Sequence, residues 1–322
     1  MTKIMLTLIS AVCLASVCLA MGSIPTTTEV VRPTLAYAGE FGLPGSGDRQ
    51  FYHPQDVKVG RTGDLSTGLG DIFVADSGNN RIQRFDQDGS YIYQFGGFGG
   101  APGQFNTPVS LAVDFNFRLY VSERDNDRVQ LLDIRGNFLN WTATGEYSGR
   151  TIQDPAGMAV DVLGNFYLAD SGNDRVLKFD QSGNFVAAAG GFGIGAGFLN
   201  RPLDVAVDRD QSFYVVDTGN HRVQKFDLDG RPLFGFGERG KGAGQLNEPK
   251  GIALDDRFIY VADSDNDRIV LFSRSGQYIL AFGRAGAGQG EFNNPGGIDL
   301  DGRGNLYIAD TGNHRIVKLS VK

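Results

Sequence analysis

The chain has 322 residues, with 30 basic and 37 acidic side chains, a net charge of −7, and 46 glycines against 11 prolines. An acidic balance works against binding a polyanion, whose affinity rests on Lys and Arg neutralising phosphates, so no nucleic-acid partner is expected. Both cysteines, Cys13 and Cys18, lie in the opening segment, which leaves the rest without a thiol for a disulfide, a zinc-thiolate centre or a nucleophile.

Lys3 is followed by an apolar run from Ile4 to Ala20 and then by the polar, helix-breaking stretch GSIPTTTEVVRP. That order predicts a signal peptide over 1–20, cleaved after Ala20, and a linker over 21–33. A secreted or periplasmic protein follows, with no membrane span once the signal is removed. Retained, the same run is an N-terminal anchor.

From residue 34 onward one segment returns six times: DIFVADSGNNRIQRF, RLYVSERDNDRVQLL, NFYLADSGNDRVLKF, SFYVVDTGNHRVQKF, FIYVADSDNDRIVLF and NLYIADTGNHRIVKL. Its arginines are Arg81, Arg128, Arg175, Arg222, Arg268 and Arg315, at steps of 47, 47, 47, 46 and 47 residues. Each unit holds four short apolar stretches bounded by Gly, Asp and Asn, as in LDVAVD, SFYVVD, RVQKFD and LFGFG between Pro202 and Gly237. Four strands per repeat make a propeller blade, so residues 34–322 are predicted to form one all-β domain, a six-bladed β-propeller of four-stranded antiparallel blades. The first repeat carries seven extra residues around RTGDLSTGLGD, read as a surface loop on the face opposite the strand two to strand three turns. The sixth repeat ends after its third strand. The N-terminal stretch TLAYAGEFG resembles the fourth strands SYIYQFG and QYILAFG, so it should complete blade six and close the ring.

The signature of a blade-opening proline, an apolar strand ending in Asp, then AD-(Ser/Thr)-GN-(His/Asp/Asn)-Arg and a strand ending FD-x-x-G, resembles the NHL-repeat family, in particular its secreted bacterial-type members. Asn220-His221-Arg222 and Asn313-His314-Arg315 keep the triplet behind that name. The resemblance implies the six-bladed fold. It leaves function open, since relatives include RNA-binding regulators, sensor ectodomains, secreted binding proteins and peptide-amidating lyases.

Acid and arginine recur in every repeat and so are read as structural. The acid should bond the turn's own backbone amides, with Gly78 and Asn79 supplying positive φ. The apolar pairs of strand one, such as Val57/Val59 and Ile298/Leu300, should be core. Between them most blades carry alanine, but blade one has Lys58 and blade six Asp299, which are expected to meet as an ion pair where the ring closes.

Departures from the repeat are where function should sit. The residue before each arginine varies, giving a candidate ligand-binding ring of Asn80, Asp127, Asp174, His221, Asp267 and His314. Blade two replaces AD-Ser-Gly with Ser122-Glu123-Arg124-Asp125 and carries the lone Trp141, which with Tyr147 would form an aromatic platform if exposed. Phe98 and Phe192, in the glycine-rich loops GGFGGAPGQF and GGFGIGAGFL, are further candidates. These loops lack the GK(S/T) ending of a phosphate loop. Asn140-Trp141-Thr142 is a glycosylation sequon.

No catalytic set stands out. The metal-binding histidines of the amidating lyases follow the blade-opening proline, where this chain has Gln55, Val109, Ala156, Leu203, Lys250 and Gly296. The expected function is therefore a monomeric, non-enzymatic scaffold that presents a rigid face to a protein, peptide or glycan, without a resident cofactor. The alternative is a metal-dependent lyase or hydrolase resembling the peptide-amidating lyases, the hydrolase using calcium at the channel mouth through Asp56 and Asp204.

Overall fold

The computed structural model describes residues 33–60 and 70–322. The expected signal peptide, nearly all of the linker and most of the blade-one insertion lie outside the described residues.

Six four-stranded antiparallel sheets follow one another along the chain. Blade four shows the pattern: Pro202–Val207, Phe213–Asp217, Arg222–Phe226 and Pro232–Phe236 pair in that order. Strand two is buried along its whole length, as in Phe166–Asp170, because it is interior to its sheet and both of its faces are packed. Strand four is the outer edge, and in Tyr91–Gly96 exposed residues alternate with partly buried ones. The bulk of the core divides into six layers, one between each pair of adjacent blades. Between blades five and six, for example, Tyr260, Ile269 and Leu271 meet Ile298, Leu306 and Val317.

The ring closes as the sequence predicts. Leu35–Phe41 pairs antiparallel with Arg315–Val321 and stands as fourth strand of the sheet that contains Pro295–Leu300 and Asn305–Asp310. The expected ion pair is present at this junction: Lys58 Nζ lies 3.8 Å from Asp299 Oδ1. Burial alone would lower the pKa of the Lys58 ammonium, but Asp299, Asp56 and Asp204 outweigh that cost and raise it. Asp299 Oδ2 also accepts the Val59 N–H at 2.8 Å, so one carboxylate ties the last blade to the first through both a charge and a backbone amide.

The turn chemistry differs from expectation in two respects. Each turn is a three-residue 3-10 helix, and its acid makes no capping bond to it. Instead Asp76 Oδ1 accepts the N–H of Tyr52 in the incoming loop at 2.7 Å, and Oδ2 accepts Arg81 Nε–H at 2.7 Å. The same loop-to-acid bond recurs from Asn106 to Glu123, Gln153 to Asp170, Asn200 to Asp217, Asn247 to Asp263 and Asn293 to Asp310. Positive φ falls on Asn80 (54°) rather than on Gly78 or Asn79. Gly78 answers to space: a Cβ there would sit 2.4 Å from the Tyr52 carbonyl oxygen.

Candidate functional site

The strand two to strand three turns and the strand four to strand one loops share one face of the ring. There the six arginines fix the loops. Arg81 donates to the carbonyls of Ser46, Gly47 and Gln50 at 2.7–2.8 Å, and Arg222 donates to those of Gly195 and Phe198 at 2.8 and 3.0 Å. Glycine-rich segments that would otherwise wander are therefore held in place.

The variable ring residues all make the same bond. Asn80, Asp127, Asp174 and Asp267 each accept, through a side-chain oxygen, the N–H of the residue preceding the next blade's proline, at 2.7–2.8 Å. His221 and His314 do so through Nδ1, from Glu248 and His53, at 3.0 Å. Acceptor and donor residues both have left-handed backbones, His221 at φ 56° and Glu248 at 46°. Such φ values are costly for residues with a Cβ, and the latch between blades offsets part of that cost. In the two histidines the accepting Nδ1 assigns the proton to Nε2, so each imidazole offers a donor outward.

These imidazoles give the face a pH dependence. Burial lowers the pKa of both; Arg239 adds to the effect at His221 and His53 at His314. A base with a lowered folded-state pKa contributes stability that is complete above its unfolded value of about 6.5 and is lost as pH falls through the folded one. Melting followed from pH 7.5 to 5 should show a decline that disappears in His221→Asn/His314→Asn, which restores the blade-one latch residue. A parallel decline in the double variant would assign it to other groups.

The aromatic candidates separate into two groups. Trp141 is half-buried in strand four of blade two, with Arg128 stacked 4.3 Å from its ring centroid and Phe138 at 4.7 Å. Tyr147 packs edge-on to Phe179 at 5.0 Å. Each aromatic surface is thus taken up by its own partners, and the two rings do not meet. Phe98 and Phe192 are instead each 73% exposed at the same position of equivalent loops, and Ile194 beside Phe192 is 82% exposed.

At the centre of this face the channel opens into a cavity of 930 Å³. Strand one enters it from each proline, and the second and third residues line the wall, as Val109 and Ser110, Leu203 and Asp204, and Gly296 and Gly297 do. Asp56 and Asp204, the pair expected at the channel mouth, both line it, from opposite blades. Asp56 Oδ2 accepts from Ser110 Oγ and Leu111 N at 2.9 Å, and Asp204 Oδ2 accepts from Ile252 N at 2.9 Å. Each carboxylate occupies room left by a glycine of the preceding blade: a Cβ on Gly157 would lie 2.2 Å from Asp204 Oδ1, and one on Gly297 1.9 Å from Asp56 Oδ1. Burial and the charge of Asp56 push the Asp204 carboxyl up to about 8, so it carries a proton at neutral pH.

The cavity wall is built where the repeat breaks. Arg124 stands where other blades have Ser or Thr, and Asp265 where four of them have Gly. Lys250 follows its proline where the other blades have only uncharged residues, and Arg239 occupies the loop position of Phe98 and Phe192. Of the sequence-predicted ring, His221 alone reaches the cavity. The signal for Arg239, Lys250 and Asp265 was in the repeat alignment itself, as charges at positions that most other blades leave uncharged. Arg201 and Glu248, an ion pair on the wall, gave no such signal because the column before the proline is variable.

A model of the NHL repeat matches residues 153–179, 199–226 and 292–319. Protein brain tumor of Drosophila melanogaster is 35% identical over 89 residues, 28% of this chain and 8% of that protein. The chain thus spans under a tenth of the length of the curated relatives it matches. Among solved structures, an auxiliary nutrient binding protein from Bacteroides thetaiotaomicron superposes over 90% of this chain and 76% of its own, with TM-score 0.65 and 13% identity. An inactive variant of virginiamycin B lyase from Staphylococcus aureus, solved with quinupristin, superposes over 89% of this chain and 99% of its own, with TM-score 0.58 and 16% identity. At such identities the likeness is one of fold.

Proposed function

We propose that this chain, an NHL-repeat β-propeller of six blades, is a secreted or periplasmic binding scaffold that takes a polar ligand into the channel mouth. One observation carries the reading: the charges that break the repeat, Arg124, Arg239, Lys250 and Asp265, converge on one cavity while the repeated charges are spent on holding loops. A cavity of 930 Å³ suits a ligand of a few sugar or amino-acid units. The exposed Phe98 and Phe192 would extend contact with a larger glycan, peptide or protein over the same face. A neighbour of the same fold described as a nutrient binding protein is consistent with this role.

The test is to fill the mouth. Val109 lines the cavity from strand one of blade two, where a larger side chain meets open space. Val109→Trp should leave the melting temperature within a few degrees and abolish ligand-induced stabilisation in a thermal-shift screen of short oligosaccharides and peptides. Hits that persist in the variant would place binding elsewhere.

The second reading is a metal-dependent lyase or hydrolase. It is favoured by His221 Nε2 and Glu248 Oε1, 4.0 Å apart on the cavity wall, with the carboxyl groups of Asp56 and Asp204 lining the same cavity. In the latched state His221 can donate a proton from Nε2 but cannot accept one there. Catalysis through it as a base would first require the Glu248 latch to open. Retention of metal through purification, with ligand turnover that stops on chelation, would favour this reading over the scaffold.

A further inference from the structure

The cavity holds cations of two kinds. Arg201 is paired with Glu248, and Arg124 with the neighbouring Asp125 at 3.3 Å. Lys250 donates to the neutral amide oxygen of Asn294 and has no carboxylate within ion-pair distance among the described residues. Burial and the nearby Arg201 lower its pKa against the pull of Asp265, so its positive charge sits in surroundings that disfavour it. Arg239 is exposed on the wall and makes no side-chain hydrogen bond or ion pair among the described residues. In a protein of net charge −7, two spare cations thus line one cavity, one opening strand one of blade five and the other in the loop that leads into it.

The other lining groups decide what anion fits. Asp154 and Asp265 bring carboxylates to the same cavity without ion-pair partners, and the apolar lining is confined to Val109, Pro155, Ala156 and Leu203. A dianion such as a phosphate monoester would face those carboxylates, whereas a monoanion leaves them to accept from hydroxyl groups. The greater part of the lining surface is polar, which suits a hydroxyl-rich ligand better than one of hydrophobic side chains. Resting on the reading that the cavity is the binding site, we infer that it takes a carboxylate-bearing saccharide, its acid group held between Lys250 and Arg239 and its hydroxyls donating to Asp154 and Asp265. The bound carboxylate supplies the counter-charge that Lys250 lacks.

Isothermal titration with galacturonate, which carries a single carboxylate, and with its methyl ester tests this. The acid should bind about ten-fold more tightly than the ester, the size of one charge-assisted contact. Lys250→Met and Arg239→Gln should each remove that advantage and leave ester binding unchanged, with circular dichroism confirming the fold. Equal binding of acid and ester, abolished by Val109→Trp but not by the two charge variants, would overturn the acid subsite while leaving the cavity as the site. Binding that survives Val109→Trp would overturn the cavity reading as well. No binding of either probe would overturn the saccharide assignment.

Discussion

Deleting residues 33–41 is expected to lower the melting temperature by at least about 10 °C and to make the protein self-associate. The deletion removes the strand Leu35–Phe41 and with it the burial of Leu35, Tyr37 and Phe41. At about 1.5–3 kcal/mol for each large side chain, the loss is roughly 5 kcal/mol, and a domain of this size shifts by about 2–4 °C per kcal/mol. The Phe41 ring also covers Phe85 at 4.8 Å, and Glu40 pairs with Arg315 at 2.8 Å, so the blade-one layer and the last loop clamp loosen together. The bare edge of Arg315–Val321 would then be free to pair with another chain. Calorimetry and size-exclusion chromatography provide the readouts. An unchanged transition and a monomeric profile would mean that the inter-blade layers hold the ring without this strand.

The second large effect concerns a single side chain. Arg81→Leu should destabilise the protein by about 3–5 kcal/mol, because it leaves a buried carboxylate without its cation. Asp76 has no exposed surface, and Arg81 gives it a 2.7 Å bond while holding Ser46, Gly47 and Gln50 of the closing loop. The double variant Asp76→Asn/Arg81→Leu should recover part of the loss, since the stranded charge is gone. Urea unfolding of the wild type, both single variants and the double variant measures the coupling. Additive losses would show that the two residues act separately, the arginine on the loop and the acid on Tyr52.

The fold was legible because a propeller repeats its instructions. Six phased arginines and prolines set the blade count, and a sixth repeat short of one strand pointed to Leu35–Phe41 as the closing piece. Even the meeting of Lys58 and Asp299 could be read, since blades one and six must adjoin. The turn details were less accessible. An Asp at the head of a tight turn looks like a local cap, and only the fold brings the Tyr52 N–H to Asp76 ahead of the turn's own amides. The ring from Asn80 to His314 varied in sequence for a reason that sequence does not display: Asn, Asp and His share a side-chain acceptor at the right reach, so the position tolerates all three. The cavity wall lay between these extremes. Lys250 and Arg239 were visible as exceptions to their columns, but their shared cavity depended on where the loops were held.

Closure by the N-terminal strand has a topological consequence. Thr34 and Lys322 exchange two backbone hydrogen bonds, at 2.8 and 3.0 Å, so the ends of the propeller lie side by side on one blade. The ring accordingly has no privileged starting point. A short tether joining these ends, with a new opening in a loop between any two other blades, would give a circular permutant with every blade intact and the same channel mouth. The order of blades around the channel, rather than the position of the first residue, is what the sequence encodes.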